Sequence, residues 1–123
     1  MDFPNNRNYT TTHEWLQLDG PTALVGISDY AQSQLGDIVF VNLPEEGDEL
    51  ITGKAFADVE SVKTVSEILS PVTGIVSERN EELFDSPELI NQSANEAWLV
   101  KVCSVSETVE VLESNDYQAH YIS

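Results

Sequence analysis

Basic side chains are scarce in this chain of 123 residues. Five Lys and Arg stand against 22 Asp and Glu, which gives a formal charge of −17 at pH 7. Proteins bind nucleic acids largely through Lys and Arg, because these groups displace counterions from the phosphates. Nucleic acid is therefore not expected as a partner, and basic protein surfaces are the natural complement. Solubility alone is the alternative use of the acids.

Cysteine and histidine are nearly absent as well. The single Cys103 cannot form an internal disulfide, and its apolar surroundings in the sequence predict an inert, buried thiol. With one cysteine, His13 and His120 cannot complete a recognisable zinc cluster. No Gly-x-Ser-x-Gly motif or phosphate-binding glycine loop occurs. We therefore expect no metal, no catalytic residues and no enzyme activity of the chain's own.

Long apolar runs are missing too. No segment is apolar over the length needed to span a membrane, and residues 1–7 lack the pattern of a secretory signal. These features predict a cytoplasmic protein that has no membrane contact. The length suits one compact domain over residues 1–123, with a core at about 9–105 and a C-terminal helical extension at 106–123.

Most of the chain alternates apolar and polar residues as short strands do, with turn residues between them. Ser28 is predicted to cap a helix over 29–35, and Gly36 suits the left-handed residue that ends one. A helical turn is predicted over 80–87. The predicted strands are 13–18, 22–27, 37–43, 54–60, 65–69, 75–78 and 98–105.

At the C-terminus Val109 and Val111 alternate as in a strand, whereas Ser106 and Ser114 are plausible N-caps, and we favour a short packed helix. Tyr117 and Tyr121 are spaced one turn apart in it, so both are expected to pack against the body. Earlier in the chain, the outline of 41–47 recurs at 68–74, each copy with a Pro-x-x-Gly that predicts a turn with a left-handed glycine. Two such units predict two small sheets that form a flattened barrel or sandwich.

Lys63 lies between the two copies, on the predicted hairpin turn 61–64. An exposed lysine is ordinarily a solvated charge. However, a small β body without catalytic groups that presents one primary amine also suits a carrier, in which an attached cofactor performs the chemistry. We therefore interpret Lys63 as an attachment point.

At these residues the chain resembles the lipoyl carrier H proteins of the glycine cleavage system. The motif Glu60-Ser61-Val62-Lys63 matches the lipoylation motif of that family. Biotin carriers typically place methionines on both sides of the lysine, whereas Val62 and Thr64 flank it here, which favours lipoate. The other matching fragments, in the same order, are 13–15, 26–31, 35–41, 43–44, 70–74 and 85–91.

The resemblance implies a mainly β barrel-sandwich hybrid, like the biotinyl and lipoyl carriers, with a few short helices including one at the C-terminus. It also implies lipoate joined to Lys63 by an amide. The carrier would move the aminomethyl group of glycine from a pyridoxal-phosphate glycine decarboxylase to a tetrahydrofolate-dependent aminomethyltransferase. A flavin-dependent, NAD-linked dihydrolipoyl dehydrogenase would reoxidise it, and a lipoyl ligase or transferase would modify it. We expect a monomer.

Proteins of this family are described as docking the loaded arm against their own surface. By that resemblance, Glu14 and Glu67 are the candidate anions for the protonated amine on the arm, and ordinary solvated acids are the alternative. Gln34 occupies a position where relatives place histidine. Two other functions stay open: a carrier that relays lipoate to other enzymes, and an unmodified acidic interaction domain.

Overall fold

The computed structural model describes residues 1–122 as nine strands and four helices. The predicted mainly β class is confirmed. The strands are β1 (Asn8–Tyr9), β2 (Glu14–Asp19), β3 (Thr22–Ile27), β4 (Ile38–Asn42), β5 (Glu49–Leu50), β6 (Ala55–Ser61), β7 (Val65–Leu69), β8 (Val72–Arg79) and β9 (Val100–Thr108). The helices are α1 (Asp29–Leu35), α2 (Glu82–Asp85), α3 (Leu89–Gln92) and α4 (Ser114–Tyr121). The last residue of the predicted C-terminal extension, Ser123, lies outside the described residues.

The strands form two antiparallel sheets that do not join into a closed barrel. The larger sheet has the order β1-β2-β3-β9-β8-β5, and the smaller has the order β4-β6-β7. The neighbours β6 and β7 are consecutive in the chain, and the hairpin that joins them carries Lys63. The smaller sheet therefore positions the candidate attachment residue at one of its ends. None of the helices in residues 1–122 is long and apolar enough to cross a membrane.

In β6, β8 and β9 the buried residues alternate with more exposed ones, since side chains two residues apart face the same side of a sheet. One cluster covers the inner face of the larger sheet and includes Leu16, Val25 and Val102. A second joins the smaller sheet to helices α1–α3, and Phe56 packs against both clusters. Burying each such side chain contributes about 1.5–3 kcal/mol. This packing holds the Lys63 hairpin on a rigid base.

Helix α1 begins and ends as predicted. The Ser28 hydroxyl accepts the N–H of Ala31 at 3.2 Å, and Gly36 ends the helix with φ of 81°. Left-handed backbone is accessible to glycine without the steric cost that a Cβ imposes. The C-terminal helix is also confirmed, although neither serine caps it. The N-cap is Glu113, because Ser106 belongs to β9 and Ser114 is the first helical residue.

Three local predictions are wrong. Only one of the two tyrosines packs against the body, since Tyr117 is fully buried whereas Tyr121 is exposed. Cys103 is half-buried rather than buried. The two Pro-x-x-Gly segments also differ, since Gly47 has φ of 93° but Gly74 lies inside β8 without a positive φ. Gly74 instead permits close contact between strands, because a Cβ there would lie 2.6 Å from Val102 Cγ1.

Candidate functional site

The turn that carries Lys63 is organised by the buried side chain of Ser61. Its hydroxyl oxygen accepts the backbone N–H groups of Lys63 and Thr64, each at 3.2 Å. The Ser61 N–H donates to the Thr64 carbonyl at 2.8 Å, and the Val62 N–H donates to the Asp37 carbonyl at 3.0 Å. The hairpin is thus closed on itself and joined to the segment before β4. As predicted, Lys63 lies on a turn between two strands and is exposed.

The Lys63 side chain lies across the end of helix α1. A Cβ on Gly36 would be 3.2 Å from Lys63 Cε and 3.6 Å from Nζ, so the absence of a side chain at Gly36 leaves room for the lysine. Two ion pairs occur within residues 1–122, and their cations are Arg79 and Lys101. Neither pair involves the Nζ atom of Lys63. A primary amine is therefore presented on the surface, next to the start of β4.

The other three residues of the motif differ in burial. Glu60 ends β6 with an exposed side chain, and Val62 is exposed beside the lysine. Ser61 alone of the three is buried. The structure therefore gives Ser61 a positioning role, while Glu60 and Val62 remain accessible to a protein that approaches Lys63.

Unlike most acidic side chains, Glu14 is buried, and it borders a cavity. It is only 3 % exposed and borders a cavity of about 300 Å³, which Thr10, Thr12, Leu69 and other residues also line. The hydroxyls of Thr10 and Thr12 donate to Glu14 Oε1 at 2.7 and 2.5 Å. Leu69 lies six residues after Lys63. Because an extended chain spans about 3.3–3.6 Å per residue, the cavity wall at Leu69 is at most about 20 Å from the lysine backbone.

Burial controls the charge of this carboxyl group. Desolvation raises the pKa of Glu14 from its ordinary 4.5 to about 7, and hydrogen bonds from Thr12, Thr10 and the Leu69 backbone partly oppose the rise. The desolvation effect dominates because a buried carboxylate loses its water shell. A cation that entered the cavity would favour the ionised form and lower the pKa again. The cavity is thus suited to hold a protonated amine.

The second candidate anion, Glu67, is not brought to this cavity. It lies exposed on β7, opposite Asp58 in the neighbouring strand, and is not among the residues that line the cavity. Gln34 is exposed on helix α1. Sequence reasoning missed Thr10 and Thr12 as partners of Glu14. The threonines that precede it signal local hydrogen bonding, but the signal does not identify the acceptor.

His13 also departs from its predicted place in the first strand. It lies just before β2 with φ of 76°, in a turn where its N–H donates to the Thr10 carbonyl at 3.2 Å. The same turn places the Thr10 hydroxyl against both the backbone N–H and the carboxylate of Glu14. The left-handed residue therefore shapes one wall of the Glu14 cavity.

Comparison with known sequences and structures places the whole chain in one family. The family model described as Glycine cleavage H-protein matches residues 7–122. The chain belongs to the glycine cleavage H-protein family. This confirms the family that the sequence motifs predict, and with it the role of a non-catalytic lipoyl carrier in the glycine cleavage system. Family membership further implies lipoate as the cofactor and the other enzymes of the system as partners.

Relatives of the glycine cleavage H-protein family match over nearly their whole length. A glycine cleavage system H protein from Lachnoclostridium phytofermentans is 57% identical, over 96% of this chain and 94% of the relative. One from Acidobacterium capsulatum is 48% identical, over 97% and 94%. The crystal structure of such a protein from Mycobacterium marinum superposes with a TM-score of 0.89, at 36% identity over 94% of this chain and 96% of the other.

Proposed function

We propose that Lys63 carries lipoate through an amide at Nζ, with Glu60, Ser61 and Val62 as the recognition motif. The observation that carries this proposal is an exposed primary amine on a turn held by a buried serine. In the attachment step, the neutral Nζ attacks the carbonyl carbon of an activated lipoyl group. The C–N bond forms, the bond from that carbon to its activating group breaks, and the nitrogen loses a proton to solvent. The formal charge of the chain falls from −17 to −18.

The attached group gives the carrier its function. When bound, lipoate would supply a disulfide that can be reduced as it takes up the aminomethyl group of glycine at the decarboxylase. The group would then go to tetrahydrofolate at the aminomethyltransferase, and dihydrolipoyl dehydrogenase would reoxidise the remaining dithiol with NAD. Those three enzymes and a lipoyl ligase or transferase are the proposed partners of a monomeric, cytoplasmic chain. The net negative charge supports brief contacts with basic surfaces, because electrostatic attraction speeds encounter without requiring a long-lived complex.

The Glu14 cavity is proposed to receive the cationic end of the loaded arm. Glu14 would accept hydrogen bonds from the protonated amine, and the low exposure of its carboxyl group would keep water away. Thr10 and Thr12 hold Oε1 in place, so the carboxyl group has a fixed orientation toward the arm. Glu67 stays a predicted second anion that acts from the exposed side of β7.

Carbon-13 NMR of the Glu14 carboxyl group tests the docking role. In the unmodified protein the group should titrate with a pKa of about 7. After lipoylation and loading with the amine, its pKa should fall, because the cation stabilises the carboxylate. A Glu46→Gln variant, at an exposed acid that does not line the cavity, is the matched control and should leave this fall unchanged. An unaltered Glu14 pKa in the loaded protein would contradict docking at this cavity.

Intact mass and peptide mapping test the attachment site. The protein, incubated with lipoate, ATP and a lipoyl ligase, should gain one lipoyl group on the peptide that contains Lys63. Lys63→Arg should abolish the gain, whereas Lys54→Arg changes another exposed lysine and should not. No gain by the wild type would favour an unmodified interaction domain. A modified protein that fails to support glycine–bicarbonate exchange with its partner enzymes would favour the lipoate relay.

A further inference from the structure

Four exposed apolar side chains surround the Lys63 hairpin. Among residues 1–122, nine large apolar side chains are exposed, and four of them lie on β4 or the β6–β7 hairpin. These four, called the Lys63 patch here, are Val39, Phe40, Val62 and Val65, with 51, 52, 67 and 60 % of their surface exposed. Soluble proteins rarely gather exposed apolar residues in this way unless the surface meets a partner.

The strand register explains why these residues form one surface. Phe40 pairs with Glu60, and Glu60 pairs with Val65, so the three side chains form a row across β4, β6 and β7. A register shift between Ile38 and Phe40 leaves Val39 as the extra residue of a bulge. Such bulges re-aim side chains at sheet edges. The Val62 N–H, bonded to the Asp37 carbonyl, joins the turn to the start of β4.

Carboxylates border the patch. Glu60 lies within the row, and Asp58 pairs with Glu67 in the next row of the same face. Asp37 precedes β4 and is exposed. Between residues 37 and 69 the only cations are Lys54 and Lys63. A partner that covers this surface must therefore bring an apolar contact area bordered by Lys and Arg, because buried or crowded carboxylates need opposite charges.

The location of the reacting atom selects among possible partners. Nζ of unmodified Lys63 lies beside Gly36, three residues before Val39. An enzyme that forms a bond to Nζ must bring its active site to that atom, so its surface has to contact the neighbouring side chains. Enzymes that react with the far end of a lipoyl arm act one arm length away. The patch thus lies where the acylating enzyme alone is obliged to make contact.

We propose that the Lys63 patch is the docking surface for the enzyme that acylates Nζ, which binds it with an apolar area bordered by Lys and Arg. This inference rests on the proposed lipoylation of Lys63 and identifies the surface that the lipoylating enzyme recognises. Phe40 is the expected anchor, since large aromatic side chains contribute most of the binding energy at interfaces. Val39, Val62 and Val65 complete the contact around it.

The test is the kcat/KM for lipoylation of the unmodified protein by purified lipoyl ligase with lipoate and ATP. Phe40→Ser should lower kcat/KM about tenfold or more, chiefly through KM. Val62→Thr and Val65→Thr keep the β-branched shape and should each lower it severalfold. The matched controls, Phe84→Ser and Ile51→Thr, remove exposed apolar groups outside the patch and should stay within twofold of wild type.

Salt separates the apolar contact from the acidic border. The wild-type kcat/KM should fall as salt rises, because screening weakens attraction between exposed charges. Phe40→Ser should show the same salt dependence from a lower starting value, since its carboxylates are intact. Circular dichroism and urea unfolding establish that each variant is folded, and the two threonine variants carry the test if Phe40→Ser is not.

The outcomes distinguish this inference from the proposed function. If wild type gains no lipoate at Lys63, both fail. If wild type is lipoylated but the patch variants react within twofold of it, the docking surface is wrong and the attachment site stands. An equal loss of kcat/KM in the patch variants and the controls would also overturn the docking surface, because removing any exposed apolar side chain would then have the same effect.

Discussion

The hydroxyl oxygen of Ser61 lies 3.2 Å from the backbone nitrogen of Lys63 and accepts its N–H. It also accepts the N–H of Thr64, so one buried side chain organises the whole turn. Because Ser61 is buried, water is poorly placed to replace the hydroxyl. The geometry with which the lysine is presented therefore depends on a residue that is itself hidden from partners.

Ser61→Ala should loosen the turn and slow modification of Lys63. Two backbone N–H groups lose their acceptor, which should lower the free energy of unfolding by about 1 kcal/mol. Urea unfolding measures the stability, and the time course of mass gain measures the modification. Ser106→Ala, at an exposed serine of β9, is the control and should change neither. Wild-type modification kinetics in Ser61→Ala would show that the hydroxyl does not position the lysine.

Glu14→Gln should alter how stability depends on pH. The pKa of Glu14 is about 7 in the folded state and 4.5 ordinarily, so the folded state binds more protons between these values. Wild-type stability from this group is therefore greatest below pH 4.5 and is lost as pH rises through 7. The variant does not titrate there, so its stability relative to wild type should rise by about 3 kcal/mol from pH 4 to pH 8.

Urea unfolding at several pH values measures this difference, and other titrating groups cancel between the two proteins. Glu67→Gln makes the same change of residue type at an exposed position outside the cavity and serves as the substitution control. Parallel curves for Glu14→Gln would mean that the pKa of Glu14 is the same in the folded and unfolded states, and would contradict the raised folded value.

The parts of the site that depend on neighbouring residues in sequence were predictable. Alternating strands on both sides of 61–64 predict the hairpin, and the polar turn exposes Lys63. Ser28 and Gly36 likewise predict both ends of α1 from local preferences. In each of these cases the deciding contacts lie within a few residues, so the pattern of the sequence contains them.

The parts of the site that depend on pairing between strands distant in the sequence could not be predicted. The Pro-x-x-Gly around Gly74 has the form of a turn, but pairing of β8 with β9 overrides it and uses the glycine for close packing against Val102. A glutamate is ordinarily a surface residue, but Glu14 is buried beside Leu69, Ser70 and Pro71, which are distant from it in the sequence. No local signal specifies which distant strand covers a carboxyl group.

Tyr117→Phe should weaken the attachment of the C-terminal helix. The Tyr117 hydroxyl lies 2.7 Å from both His13 Nδ1 and Ser28 Oγ, in a buried setting. Removing it leaves these two polar groups short of a partner, so the free energy of unfolding should fall by about 1–3 kcal/mol. Urea unfolding measures the loss. Tyr121→Phe, at an exposed position of the same helix, should have no effect, and equal losses would assign the change to the helix rather than to the hydroxyl.

Gly26→Ala should displace the buried Trp15 ring and destabilise the fold. Trp15 pairs with Gly26 across β2 and β3, and a Cβ at Gly26 would lie 2.5 Å from the indole ring. The ring cannot yield without straining its 3.1 Å hydrogen bond to the Ala94 carbonyl, so the loss should reach about 3 kcal/mol. Urea unfolding and tryptophan fluorescence measure the two effects. Gly20→Ala adds a Cβ with no atom within 4 Å, at φ of 60°, and should cost only about 1 kcal/mol of backbone strain. Equal losses in the two variants, with unchanged fluorescence, would exclude the contact with Trp15 as the reason for glycine at this position.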